Sequence, residues 1–121
     1  GKALKQAVGD MKGIARYGQA SVPMDEALAS VSLDISGRPY FVYKVEFPKK
    51  SKLKDFDPDL IEDFLQAFVS SSSITLHITV LYGRNIHHII EAVFKGLGRA
   101  LREAVTINPR MKGIPSTKGK L

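Results

Sequence analysis

The chain has 121 residues, no cysteine and a formal net charge of +6, with a pI near 9.7. That length builds one domain with a modest core, and the lack of cysteine excludes disulfides, iron–sulfur clusters and thiolate zinc sites, in keeping with a reducing cytoplasm. No apolar run reaches the roughly 20 residues a membrane span needs, the first residues do not read as a signal peptide, and the basic balance points to an anionic partner: nucleic acid, an acidic protein surface or a phosphorylated small molecule.

In chain order, GKALKQAVGDMKG places Ala3, Leu4, Ala7 and Val8 at the spacing of a short amphipathic helix that ends at Gly9. A helix beginning at residue 1 without a cap reads as a truncation or cleavage boundary. After Gly13 the period changes to two, and Tyr17–Met24 and Ala27–Ile35 are expected as half-buried strands. Ser36-Gly37-Arg38-Pro39 is a turn, Tyr40–Phe47 a further strand, and Pro48–Pro58 a charged loop. Asp57-Pro58 starts a helix with Leu60, Ile61, Phe64, Leu65 and Phe68 at helical spacing. Ile74–Gly83 is a strand, and Asn85 caps the longest helix, whose apolar stripe is Ile86, Ile89, Ile90, Val93, Phe94, Leu97, Leu101 and Val105. INPRMKGIPSTKGKL forms a loop-like tail. These elements predict an α+β two-layer sandwich, one four-stranded sheet with two helices on one face, and no internal repeat. The expected divisions are 1–13, the end of a helix from an absent N-terminal half; 14–107, the sandwich; and 108–121, a tail.

The chemistry concentrates in RNIHHIIEAVFK, residues 84–95, which holds two of the three histidines. On a helix His87 and Glu91 share a face, whereas His88 points about 100° away. One metal ion can therefore take His87 and Glu91, while His88 faces a different ion or partner. The positive helix N-terminus is expected to favour the neutral, ligating imidazole. Imidazole with carboxylate suits manganese, iron or zinc. HHxxE is not the HExxH of zinc proteases. The alternative for a bare HHxxE is an interface histidine and a solvated glutamate. Asp63, on the preceding helix, is a candidate to complete a ligand set.

RNIHHIIEAVFKGLGRAL and GIPSTKG, with ARYGQASVPMDEAL, LDISGRPY and DFDPDLIEDF, resemble the C-terminal half of the imidazoleglycerol-phosphate dehydratase family, in order along the whole chain. The resemblance implies one half of a duplicated βββαβα-type fold, large homo-oligomers (24-mers) and two Mn2+ per site between subunits. The implied reaction is loss of water from imidazole-glycerol phosphate to give imidazole-acetol phosphate, in histidine biosynthesis. His87, His88 and Glu91 match the second-half metal motif. Asp63 falls where the family commonly has a ligand histidine. Arg16 and Arg38 match phosphate-binding arginines, Ser116 and Lys118 a phosphate loop, Lys95 a lysine near the substrate, and Asp25 a segment lining the site. Glu91 and Lys95 are the catalytic candidates.

The assignments also make chemical sense individually. A guanidinium fork binds two phosphate oxygens at once, and metal on the ring nitrogens would stabilise the charge that expels the hydroxyl. Glu91, assigned to metal, is not the expected general base; the resemblance implies a glutamate from the absent half in that role. The family's first HHxxE is absent, so weak or no turnover is expected of these residues alone. Two rival readings stand beside the enzyme. One is a basic nucleic-acid-binding module using the run Lys49–Lys54, weighed against by the lack of a stacking motif. The other is a fragment that assembles without catalysing.

Overall fold

The computed structural model describes residues 1–48, 56–110 and 113–116. The basic run Lys49–Lys54 and Lys118 lie outside the described residues. Seven elements follow one another: α1 (Lys2–Val8), β1 (Tyr17–Met24), β2 (Ala27–Asp34), β3 (Tyr40–Lys44), α2 (Asp59–Ser72), β4 (Thr75–Tyr82) and α3 (Ile86–Ala104). The strands form one mixed sheet in the order β1-β2-β4-β3. β1 pairs with β2, and β2 with β4, antiparallel, while β3 and β4 are parallel neighbours joined through α2, as a β–α–β crossover requires. The third strand is shorter than its pattern suggested, ending at Lys44 rather than Phe47.

The expected two helices on the sheet are joined by a third, α1, which leans on α2 through Lys5, whose Nζ donates to Ser73 Oγ at 3.0 Å. Ala29, Val31 and Leu33 of β2 and Leu76 and Ile78 of β4 point into the core, where they meet Ile61, Leu65 and Val69 of α2 and Val93 and Leu97 of α3. The opposite sheet face carries residues such as Ser32, Thr79 and the exposed His77, whose ring lies 6.2 Å from that of Tyr40.

The helix stripes read from the sequence rotate slightly in the fold. α3 buries Ala92, Gly96, Ala100 and Ala104, small residues one turn apart, along with Ile89 and Val93, and leaves Phe94 exposed. Gly18 shows why: a Cβ there would collide with the Ala100 carbonyl, so β1 and α3 approach backbone to backbone. On α2, Ile61, Leu65 and Val69 are buried, whereas Leu60 and Phe64 remain 54% and 56% exposed. Phe64 rests against Phe94 of α3, ring centroids 6.1 Å apart. The helical layer thus carries an uncovered apolar strip on its outer side.

Candidate functional site

At one end of the sheet, β1 and β2 are joined by the two-residue turn Asp25-Glu26. Asp25 takes a left-handed φ of 45°, as the first residue of tight primed hairpin turns does. β4 ends beside it and enters α3 through Gly83-Arg84-Asn85. Asn85 caps that helix as expected, its Oδ1 accepting from His87 N at 2.9 Å. Hairpin turn and helix entrance therefore face each other.

The helical spacing brings His87 Nε2 within 3.1 Å of Glu91 Oε2, and the other oxygen of Glu91 accepts from Lys95 Nζ at 2.8 Å. The Lys95 hydrogen bond, more than the imidazole, holds the Glu91 carboxyl below its usual range. His88 points elsewhere: Nδ1 lies 2.7 Å from Glu26 Oε2, and Nε2 lies 3.6 Å from Asp25 Oδ2. Glu26 Oε1 accepts two more bonds, from the Arg84 and Asn85 amides at 3.0 and 2.7 Å. With His88 and these amides around it, the Glu26 carboxyl is depressed to about 2. The expectation of a helix-dipole-neutralised imidazole fails for His88. Its hydrogen bond to Glu26, reinforced by the charges of Asp25 and Glu91, raises its pKa above the ordinary histidine value. Three carboxylates at close range outweigh the partial charge of a helix end.

Asp63 is the remaining ligand candidate. It is exposed on α2, with no hydrogen bond or ion pair among the described residues. Nor is there, among those residues, any group of three or more His, Cys, Asp or Glu able to hold a metal ion. The chain offers two pairs instead, His87 with Glu91 and His88 with Asp25. Imidazole nitrogen with carboxylate oxygen is the right donor chemistry for a divalent transition ion. Two donors are fewer than such an ion takes, so a full shell needs donors from outside these residues. A cavity of about 820 Å³ opens nearby at the carboxyl ends of β3 and β4, with Tyr43, Lys44, Tyr82 and Arg84 in its wall.

Arg16, Arg38 and Ser116 sit at the other end of the sheet. Tyr17, Asp34, Thr75 and Tyr40 are in register there, with Arg16 just before β1 and Arg38 in the turn before β3. Arg16 has a left-handed φ of 72°, stapled on both sides: its N–H donates to Ala104 O, and its carbonyl accepts from Ile35 N. Its guanidinium donates from Nε and Nη2 to both oxygens of Asp34, at 2.6 and 3.0 Å, and from Nη1 to Pro115 O at 2.7 Å. Arg16 was expected to present its fork to phosphate; here that fork is turned onto Asp34, and it fastens the segment leading to Ser116. The Arg38 side chain is exposed, while Ser36 Oγ and Arg38 O hold the turn.

Sequence reading missed Glu26 and Asp34. Each stands next to or inside a motif already singled out, yet nothing local tells that Glu26 will meet a histidine 62 positions away. The two ends of the sheet are separated by the length of β2, on the order of 23 Å for eight extended residues. Within one chain, the arginine end and the imidazole end cannot grip the same small molecule.

Fold and site together define an α+β domain with paired imidazole and carboxylate groups at the entrance of α3. The family model described as imidazoleglycerol-phosphate dehydratase matches residues 1–101. Curated relatives of that description include those of Geobacter metallireducens, 56% identical over all 121 residues, and Clostridium botulinum, 60% identical over the same span; the chain covers 62% and 61% of their lengths. The crystal structure from Staphylococcus aureus superposes with a TM-score of 0.84 at 44% identity, over 89% of this chain and 63% of that one. The one from Pyrococcus furiosus gives 0.85 at 40% identity, over 99% of this chain and 64% of that one. The chain belongs to the imidazoleglycerol-phosphate dehydratase family, and it spans about three-fifths of the length of the curated relatives it matches.

Proposed function

We propose that this chain is the C-terminal part of a manganese-dependent hydro-lyase that removes water from imidazole-glycerol phosphate. The observation that carries the reading is the convergence of His87 Nε2 on Glu91 Oε2 at 3.1 Å, with His88 beside them, at the entrance of α3 in a chain of this family. His87 and Glu91 would hold one ion and His88 with Asp25 a second. Bound metal supplies Lewis-acid stabilisation of charge on the substrate's imidazole ring. Lys95 orients Glu91 and adds positive charge beside it. At the far end of the sheet Arg38 offers an exposed guanidinium to phosphate, and Arg16 fastens the segment leading to Ser116.

Because the two ends are so far apart on one chain, each active site takes its phosphate grip from one copy and its imidazoles from another. Two further features support assembly: the paired ligand sets, each short of a full shell, and the uncovered strip of Leu60, Phe64 and Phe94 on the helices. Asp63, unpaired among the described residues, is available to a neighbour's site. A cytoplasmic setting fits the cysteine-free composition. Among the described residues, no helix is long and apolar enough to cross a membrane.

The test is metal content with intact mass, followed by three variants. His87→Ala and His88→Ala are each expected to lower bound manganese. Arg38→Ala is expected to weaken substrate affinity and leave manganese unchanged. Equal metal content in all three variants and wild type would sink the reading.

A further inference from the structure

The two imidazoles are held very differently, and the difference singles out a residue outside the ligand pairs. The His87 ring meets Glu91 through Nε2 and the edge of the His88 ring, and stands largely in solvent. His88 is 24% exposed and is gripped at Nδ1 by Glu26. Glu26 as a carboxylate can only accept hydrogen bonds, so Nδ1 of His88 must carry the proton. In the neutral ring this leaves the lone pair on Nε2, the atom turned toward the exposed carboxylate of Asp25. The second oxygen of Glu26 ties down the amides of Arg84 and Asn85, the residues that lead into the helix bearing His88. One side chain thus sets both the backbone position and the ring tautomer.

We infer that Glu26 is a positioning residue for His88, presenting Nε2 beside Asp25 as a ready metal donor. The inference rests on the reading of His88 as a ligand. It has a consequence that a merely structural role lacks. In Glu26→Gln the side-chain oxygen still accepts the two loop amides, so the entrance to α3 keeps its support. The new amide N–H2 faces Nδ1, however, and a donor there forces Nδ1 to accept and moves the ring proton to Nε2. Glutamine therefore preserves the fold and spoils the ligand. Buttressing alone would be rescued by glutamine.

The experiment combines nitrogen-15 NMR of the histidine rings, in alkaline buffer without metal, with MnCl2 titration followed by the resonance of free manganese. Wild type is expected to show His88 protonated on Nδ1. In Glu26→Gln the proton appears on Nε2, and manganese affinity at the His88 site falls by about 10- to 100-fold, as loss of a histidine's outer partner does elsewhere. Glu26→Ala is expected to lose affinity and melting temperature together, whereas Glu26→Gln loses affinity with its melting temperature retained. Manganese binding by Glu26→Gln at wild-type strength, or an Nε2–H ring in wild type, overturns the role of Glu26 alone. A wild-type chain without manganese affinity overturns the reading of His88 as a ligand as well.

Discussion

At one end of the sheet Arg16 commits three of its N–H donors to Asp34 and Pro115, and the pair is 12% and 18% exposed. At the other end His87, Glu91 and Asp25 are in contact with solvent, His87 paired with Glu91 and Asp25 with His88. Both ends mix opposite charges, yet they are saturated differently. A fork that finds both oxygens of a carboxylate and a carbonyl has satisfied its geometry and becomes scaffold. Imidazoles and carboxylates facing one another across a helix entrance keep lone pairs that converge on open space. What separates the two ends is the number of valences left open, more than the residue type.

That contrast can be broken most strongly at the saturated end. Arg16→Ala strands the half-buried Asp34 carboxylate and removes the hydrogen bond to Pro115 O, and is expected to cost roughly 3 kcal/mol in chemical denaturation. A loss near zero would show that the pair is as loose as a surface ion pair. The open end should be much more tolerant. Asn85→Ala removes the cap on His87 N and is expected to lower stability by about 1 kcal/mol, with a proportionate fall in α3 protection by amide exchange.

Between the two ends, Tyr43 sharpens the point by being unsatisfied. Its hydroxyl is buried without a hydrogen-bond partner among the described residues, and burial pushes the phenol up to about 12. The unfolded chain releases that proton near the ordinary tyrosine value, about 10. Between about pH 10 and 12 the folded state therefore binds more protons than the unfolded state, and stability falls as pH rises through that window. Tyr43→Phe should flatten this alkaline limb in thermal melts and raise stability at neutral pH by up to about 1 kcal/mol. A destabilised phenylalanine variant would mean that the hydroxyl has a partner after all. Smallest of all, Lys95→Met should leave the melting temperature unmoved, since its pair with Glu91 is an exposed one.

Much of the fold was legible because its signals are local. Alternation over eight residues marks β1 and β2, the dipeptide Asp57-Pro58 opens α2, and Asn85 announces α3. Less legible was which face of each helix touches the sheet. Counting large apolar side chains favours Phe64 and Phe94, whereas contact distance favours Gly96 and Ala100, which let α3 lie close on β1 and β2. Nothing in the strand pattern around Tyr43 announces that its hydroxyl lacks a partner among the described residues; the packing around it decides that.

The sequence alone determined the order of the elements, the basic charge, and the placing of His87 and Glu91 on one helical face with His88 turned aside, because periodicity and capping act over a few residues. Tertiary structure alone decided that Glu26 takes His88, that Asp34 takes Arg16, and that the arginines and imidazoles end up at opposite ends of the sheet. Those pairings join residues 18 to 62 positions apart. Strand register and a crossover helix, which no short window of sequence contains, bring them together.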